Sequence, residues 1–102
     1  MSGRPAIGIT GGELPAYVAA YYDLPYGIYV QTVVESSDAA RQGLQPGDII
    51  TAADGEAVAT LDQLNLIKNR YRAGDILHLT IYRNGETFDL GIVLMDAAET
   101  GN

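Results

Sequence analysis

The chain has 102 residues, of which 47% are apolar and 19% charged, and it carries a net charge of −7 at pH 7. This length and composition predict one globular domain, and six Lys and Arg residues spread along the chain argue against a nucleic-acid-binding surface. The absence of cysteine excludes a disulfide scaffold and thiol chemistry, and with a single histidine it argues against a zinc site.

The N-terminal part of the chain predicts a strand followed by a helix. We place residues 1–3 outside the domain. The apolar-Gly-apolar order over residues 7–10 predicts a strand, which Gly11 and Gly12 end or bulge. Apolar and aromatic residues at helical spacing then predict a helix over residues 13–22, with Pro15 in its first turn.

The middle of the chain is rich in turn residues. Residues 28–34 are β-branched and aromatic and predict a strand. A serine cap precedes a short helix over residues 38–42, which Gly43 ends. The turn at Pro46-Gly47 leads into a strand over residues 48–53.

The C-terminal part predicts a longer helix and a hairpin. Thr60 caps a helix over residues 61–72, and Asn84-Gly85 is the favoured two-residue turn between two alternating strands. Residues 96–102 are small and polar, and we expect them to form a flexible tail. The order of elements predicts mixed α and β structure with mostly antiparallel pairing.

The segment Gly-Leu-Gln-Pro-Gly-Asp-Ile-Ile at residues 43–50, followed by Asp-Gly-Glu-Ala-Val at residues 54–58, resembles the central part of a PDZ domain. It is most similar to the bacterial kind that follows the protease domain of HtrA-type serine proteases. The resemblance runs from Arg4 to Met95 and implies a PDZ domain at residues 4–95. It also implies an α+β fold, a small mostly antiparallel sandwich or partly open barrel capped by two helices.

The fragment shows no candidate catalytic residues of its own. Its only histidine, His78, alternates with leucines and is expected on a partly exposed strand face. The carboxylates fall mostly in turns, and no nucleotide-binding glycine pattern is present, so we predict no cofactor. The resemblance implies that the parent protein is a serine endopeptidase whose catalytic domain lies outside this fragment.

The resemblance further implies a peptide-binding site. In PDZ domains an extended peptide adds as a strand to a sheet edge, and its carboxylate sits in a loop of backbone N–H groups. One stripe of the helix over 61–72, Leu64, Ile67 and Tyr71, is assigned to the core, and its neighbour to the groove. The implied peptide-binding residues are Ala6, Ile7, Gly8, Ile9, Thr10, Gly11, Leu61, Asn65 and Lys68.

The implied partners are apolar C-terminal peptides of unfolded or misassembled proteins and a neighbouring protease domain. The resemblance implies an extracytoplasmic location in a bacterial cell envelope and a role in protein quality control. No apolar run approaches the ~20 residues that span a bilayer, so no membrane contact is expected.

Several alternatives remain open. The domain could serve a C-terminal processing protease, a membrane-embedded metalloprotease or a secretion component. It could be an oligomerisation module whose groove is empty or filled by its own tail. Ile7, Ile9 and Leu61 could simply be core residues, and Lys68 a solvated helix residue. The clustered tyrosines either line an interaction surface or are half-buried. Those tyrosines are Tyr17, Tyr21, Tyr22, Tyr26 and Tyr29.

Overall fold

A computed structural model of the protein describes residues 4–97. Three helices are α1 Ala16–Tyr22, α2 Asp38–Arg41 and α3 Leu61–Lys68. Eight strands are β1 Pro5–Ala6, β2 Ile9–Glu13, β3 Ile28–Val33, β4 Ile49–Ala53, β5 Glu56–Ala57, β6 Ile76–Arg83, β7 Glu86–Val93 and β8 Met95–Asp96. None of these helices is long and apolar enough to cross a membrane.

The strands form two antiparallel sheets. The larger has the order β2-β3-β4-β6-β7, with β5 against β4, and the smaller joins β1 to β8. Within the described residues the larger sheet does not close into a barrel, so β2 and β7 are its edge strands. The predicted mixed, mostly antiparallel architecture is confirmed.

The core lies between the larger sheet and α3. The predicted β6–β7 hairpin forms around Asn84 and Gly85, both with positive φ, and its alternate residues Leu77, Leu79 and Ile92 are fully buried. From α3 come Leu64 and Ile67, at 3% and 4% exposure. The core side of the predicted helix is confirmed for these two residues.

The helix predicted over residues 61–72 ends earlier, at Lys68. The amides of Arg70 and Tyr71 donate to carbonyls three residues back, which tightens the last turn, and the amide of Arg72 is held by the Asp75 carboxylate at 2.8 Å. Tyr71 therefore packs against the core from a turn rather than from the helix, and its hydroxyl donates to Asp54 at 2.7 Å.

The N-terminal elements also differ from the prediction. Ile7 and Gly8 lie between β1 and β2 instead of inside a strand, and Gly11 and Gly12 lie inside β2. The register shifts between Thr10 and Gly11, so the predicted bulge is present. A Cβ at Gly11 would lie 2.2 Å from the carbonyl oxygen of Tyr29, which explains the glycine there.

Helix α1 begins later than predicted because β2 extends to Glu13, which pairs with Ile28. Pro15 occupies the position before the first helical residue rather than the first turn. Tyr17 and Tyr21, whose spacing helped to predict the helix, are exposed, whereas the buried residue of α1 is Ala19.

The two ends of the described chain meet in the smaller sheet. Pro5 pairs with Asp96, and the Ala97 amide donates to the Arg4 carbonyl at 2.8 Å. Asp96, placed by the sequence in a flexible tail, is thus part of β8. Residues 1–3 and 98–102, which include the rest of that tail, lie outside the described residues.

Two of the three leucines of α3 test which face is core. Leu64→Ala should lower the free energy of unfolding by about 2–4 kcal/mol, because it removes a buried side chain and leaves a cavity. Leu66→Ala, on the same helix at 71% exposure, should change it by less than about 0.5 kcal/mol. Urea unfolding of both variants measures the difference, and equal losses would contradict the assignment of the faces.

Candidate functional site

The loop between β1 and β2 presents two amides without an acceptor. Ile7 and Gly8 are buried, yet within residues 4–97 neither N–H donates to any hydrogen-bond acceptor. The Gly8 carbonyl is satisfied, since it accepts from the Val34 amide at 2.8 Å. Buried backbone donors are almost always paired, so two open ones side by side indicate a place for a ligand oxygen.

Glycine is required at position 8 for two reasons. Its φ of +94° is one that other residues rarely adopt. A Cβ at Gly8 would also lie 2.7 Å from the Cβ of Ser37 and 3.0 Å from the Sδ of Met95. The predicted role of Gly8 in shaping this loop is therefore consistent with both its backbone and its surroundings.

A groove runs beside the loop, between the edge of β2 and helix α3. In the larger sheet β2 pairs only with β3, so its other edge is free of strands in the described part of the chain. The groove contains a cavity of about 60 Å³. Its lining residues are Ile7, Ile9, Gly11, Leu61, Leu64, Asn65 and Lys68.

Most of the predicted site residues meet in this groove. The stripe of Leu61, Asn65 and Lys68 faces β2, as the sequence placed it. Leu64 reaches the groove as well as the core, which the assignment of one stripe to each side missed. That Leu64 contacts both the groove and the core could be inferred only once the helix was placed against the sheet.

Two predicted site residues do not line the cavity. Ala6 is fully buried in β1, where it pairs with Met95. Thr10 is exposed on β2, and its Oγ1 lies 2.5 Å from the Oγ1 of Thr32 on β3. Ala6 therefore supports the loop from behind, and Thr10 joins the two strands on the outer side.

Lys68 is a buried cation that lacks a counter-charge. Its exposure is 6%, and no carboxylate within residues 4–97 pairs with it. Burial lowers the pKa of its ammonium group, and the positive charge of Arg4 lowers that pKa further. The reading of Lys68 as a solvated helix residue is thus wrong. A buried charge without a partner is costly, so its position in the groove indicates an anionic ligand.

The carboxylates that the sequence placed in turns have structural partners. Asp48 is 1% exposed and accepts from Arg83 at 2.6 Å and from the Gln45 amide at 2.8 Å. Glu56 pairs with Arg70 at 2.6 Å. These contacts hold turns together. His78 is exposed on β6, as predicted.

Four of the clustered tyrosines are mostly exposed, and the fifth, Tyr29, is close to half-buried. Exposure is 77% for Tyr17, 80% for Tyr21, 64% for Tyr22, 62% for Tyr26 and 41% for Tyr29. We call these five residues the tyrosine surface. A cleft of about 730 Å³ adjoins it on the outer face of the sheet, lined in part by Tyr22 and Tyr29. The sequence showed the tyrosines but gave no sign of the cleft.

Comparison with known proteins agrees with this geometry. The family model described as PDZ domain matches residues 5–94. Over 93 residues the chain is 33% identical to a probable periplasmic serine protease do/HhoA-like of Haemophilus influenzae, covering 89% of this chain and 20% of that protein. The chain spans about a fifth of the length of the curated relatives it matches.

Two solved structures have the same fold. The HtrA3 PDZ domain bound to a phage-derived ligand superposes with a TM-score of 0.80 at 24% identity, covering 92% of this chain and 88% of that one. The HtrA-type protease AlgW with a decapeptide gives a TM-score of 0.79 at 27% identity, covering 92% of this chain and 30% of that one. The predicted PDZ-like fold is thereby confirmed.

The matched segment of these relatives is the non-catalytic part of HtrA-type serine proteases, which agrees with the prediction that the fragment itself carries no catalytic site. The unpaired amides, the free edge of β2 and the facing helix are thus features of one recognised kind of domain. The chain belongs to the PDZ domain family and is similar to the PDZ domains of HtrA-type serine proteases.

Proposed function

We propose that this domain binds the free C-terminal end of a polypeptide with an apolar tail. In this proposal it is the substrate-recognition and regulatory module of an HtrA-type serine protease. The observation that carries the proposal is the pair of buried, unpaired amides at Ile7 and Gly8. They lie at the head of a groove whose one long wall is an unpaired strand edge.

The position of the open amides supports one direction for a bound tail. The open amides lie just before the first residue of β2, so a carboxylate held there places the preceding residues along β2 toward Glu13. A tail in this position runs antiparallel to β2 and completes the hydrogen bonds that the free edge lacks. Backbone pairing of this kind is independent of sequence, which suits a module that accepts many polypeptides.

Charge and shape in the groove match the end of such a tail. Arg4 is close enough to Lys68 to lower its pKa, so the two charges raise the electrostatic potential together, and Lys68 lines the same cavity as Ile7. The side chains of Ile7, Ile9, Leu61 and Leu64 make the rest of the lining apolar. The cavity of about 60 Å³ suits one short apolar side chain at the last position.

The relatives support the wider role. AlgW, an HtrA-type protease, has been solved with a decapeptide and with a tripeptide. Other relatives are named periplasmic serine proteases. We propose on these grounds that the domain works outside the cytoplasm beside a protease domain. The tails of unfolded or misassembled proteins, which expose apolar ends, are its proposed ligands.

Free and amidated peptides test the carboxylate loop. A peptide with a free apolar C-terminus should bind with an affinity of about 1–100 μM, roughly −5.5 to −8 kcal/mol. The same peptide with an amidated end should bind at least ~10-fold more weakly, because it loses the charge that the amides and Lys68 receive. Isothermal titration calorimetry measures the affinities of both peptides, and equal affinities would contradict the proposed carboxylate-binding loop.

A valine at position 8 should disrupt the loop, and the same substitution at Gly74 is the control for backbone strain. Gly8→Val forces a side chain into a φ of +94° and against Ser37, so we expect binding to be lost together with some stability. Gly74 has a φ of +97° and no atoms within 4 Å of an added Cβ. Gly74→Val should therefore cost stability through strain and leave peptide affinity unchanged. Binding by folded Gly8→Val protein would show that the loop is misassigned.

Replacing Lys68 should change stability and peptide affinity in opposite directions. Lys68→Met should raise the free energy of unfolding by roughly 1 kcal/mol, because it removes an uncompensated buried charge, and should weaken peptide binding by about 3- to 10-fold. Arg72→Met, at an exposed cation beyond α3, should change neither quantity. Urea unfolding and peptide titration of the two variants provide the comparison.

The gain in stability should depend on pH in a defined direction. The pKa of Lys68 is lower in the folded than in the unfolded chain, so protonation favours unfolding and the native protein gains stability as pH rises. The advantage of Lys68→Met should be full below the lowered folded pKa and should vanish above the ordinary lysine pKa. A pH-independent difference would mean that packing, and not charge, sets it.

A further inference from the structure

The tyrosine surface and its cleft are not part of the peptide groove, and nothing in the described fold covers them. None of the five hydroxyls has a hydrogen-bond partner within residues 4–97. Tyr21 and Tyr22 contact each other edge to face, with ring centroids 4.9 Å apart. Exposed tyrosines in this number are typical of binding surfaces, because the ring buries apolar area while the hydroxyl stays adaptable.

This part of the chain carries no positive charge. Between Arg4 and Arg41 there is no Lys or Arg, whereas four acidic residues fall in that stretch. They are Glu13, Asp23, Glu35 and Asp38. An aromatic surface in a stretch of chain whose only charges are acidic is complementary to a cation, which can lie over a ring face and pair with a carboxylate.

The charge available at the cleft itself is also negative. Glu13 lines the cleft and is exposed, and its side-chain carboxylate has no ion-pair or hydrogen-bond partner within residues 4–97. The one cation in the lining, Arg83, is held at 2.6 Å by Asp48 and donates to the Gly43 carbonyl at 2.7 Å. Arg83 is therefore occupied, and the free charge at the cleft is negative.

Strand β2 connects the cleft to the groove. Ile9 and Gly11 line the groove, while Gly12 and Glu13 line the cleft. At about 3.4 Å per residue, the five residues of β2 span about 17 Å. A tail whose carboxylate is held at Gly8 and which runs antiparallel to β2 therefore reaches Glu13 about six residues before its end.

We propose that the tyrosine surface binds a basic stretch of the same polypeptide, about six or more residues upstream of the C-terminus held in the groove. This inference rests on the proposed function of the groove and adds a second specificity to it. Long tails with Lys or Arg at that distance are then bound by both surfaces at once. Linked binding of this kind raises affinity without a new contact in the groove.

Three peptides with the same apolar C-terminus test the proposal. The first has five residues. The second and third have twelve, with lysines in one and glutamates in the other at six to eight residues before the end. The lysine peptide should bind about 3- to 10-fold tighter than the glutamate peptide at low salt, and high salt should reduce the difference. NMR shifts should extend from the groove to residues 13–29 for the lysine peptide alone.

Two variants and a matched control assign the effect. Glu13→Gln and Tyr22→Leu should each remove most of the preference for lysine and leave the affinity of the five-residue peptide unchanged. Glu86→Gln removes one exposed carboxylate, at the start of β7, that is not among the residues lining the cleft, and it should leave the preference intact. Equal loss of the preference in Glu13→Gln and Glu86→Gln would indicate net charge rather than a site, and would overturn the proposal.

The outcomes separate this inference from the proposed function. If all three peptides bind with equal affinity and change only the NMR shifts of groove residues, the proposed function of the groove stands. The proposal that the tyrosine surface binds a basic stretch then fails. If the five-residue peptide does not bind, the groove proposal fails. If the lysine peptide then binds the tyrosines without needing its free carboxylate, the two-part reading fails with it. Shifts at the tyrosines that depend on protein concentration alone would assign the surface to a second copy and would also overturn the proposal.

Discussion

The free edge of β2 is the constraint on which the site depends. A strand with one neighbour has a row of backbone donors and acceptors that must be satisfied by solvent or by another chain. Here that edge is short, faces α3, and begins directly after two amides that have no acceptor in the described structure. The direction and the end point proposed for a bound chain follow from these three facts.

Stability is supplied away from the groove, which leaves the groove free for binding. The β6–β7 hairpin fully buries Leu77, Leu79, Ile81 and Ile92, and the ion pair between Arg83 and the buried Asp48 ties the turn before β4 to the end of β6. Arg83 also lies over Phe88, with its guanidinium 4.8 Å from the ring centre. The rigid side of the sheet thus supports the open side, and β2 needs no second neighbour to be held in place.

Local rules in the sequence predicted much of this fold, and tertiary contacts account for the rest. Ser37 caps α2, and Thr60 with Gln63 forms the capping box of α3, because these interactions involve residues close in the chain. The partner of Asp48 was not predictable in this way. Arg83 is 35 residues from Asp48, and only the assembled sheet brings the two together.

The dependence on tertiary contacts also explains which features of the candidate site could be predicted from the sequence. The role of Gly8 follows from its backbone and could be predicted, whereas the burial of Lys68 depends on how closely α3 packs on β2. Leu64 was assigned to one face because helical spacing separates stripes more sharply than real packing does. The tyrosines were visible as a cluster, but their exposure follows from α1 burying only Ala19.

The placement of charge argues that the groove is used. Arg41, Arg70 and Arg83 each pair with a carboxylate, in a chain with more than twice as many acidic as basic residues. Lys68, the most buried of the cations beside the loop, has none within the described residues. An acidic protein has ample means to neutralise one lysine. Leaving it uncompensated costs stability and gains nothing for a groove that stays empty, whereas a bound carboxylate supplies the missing charge.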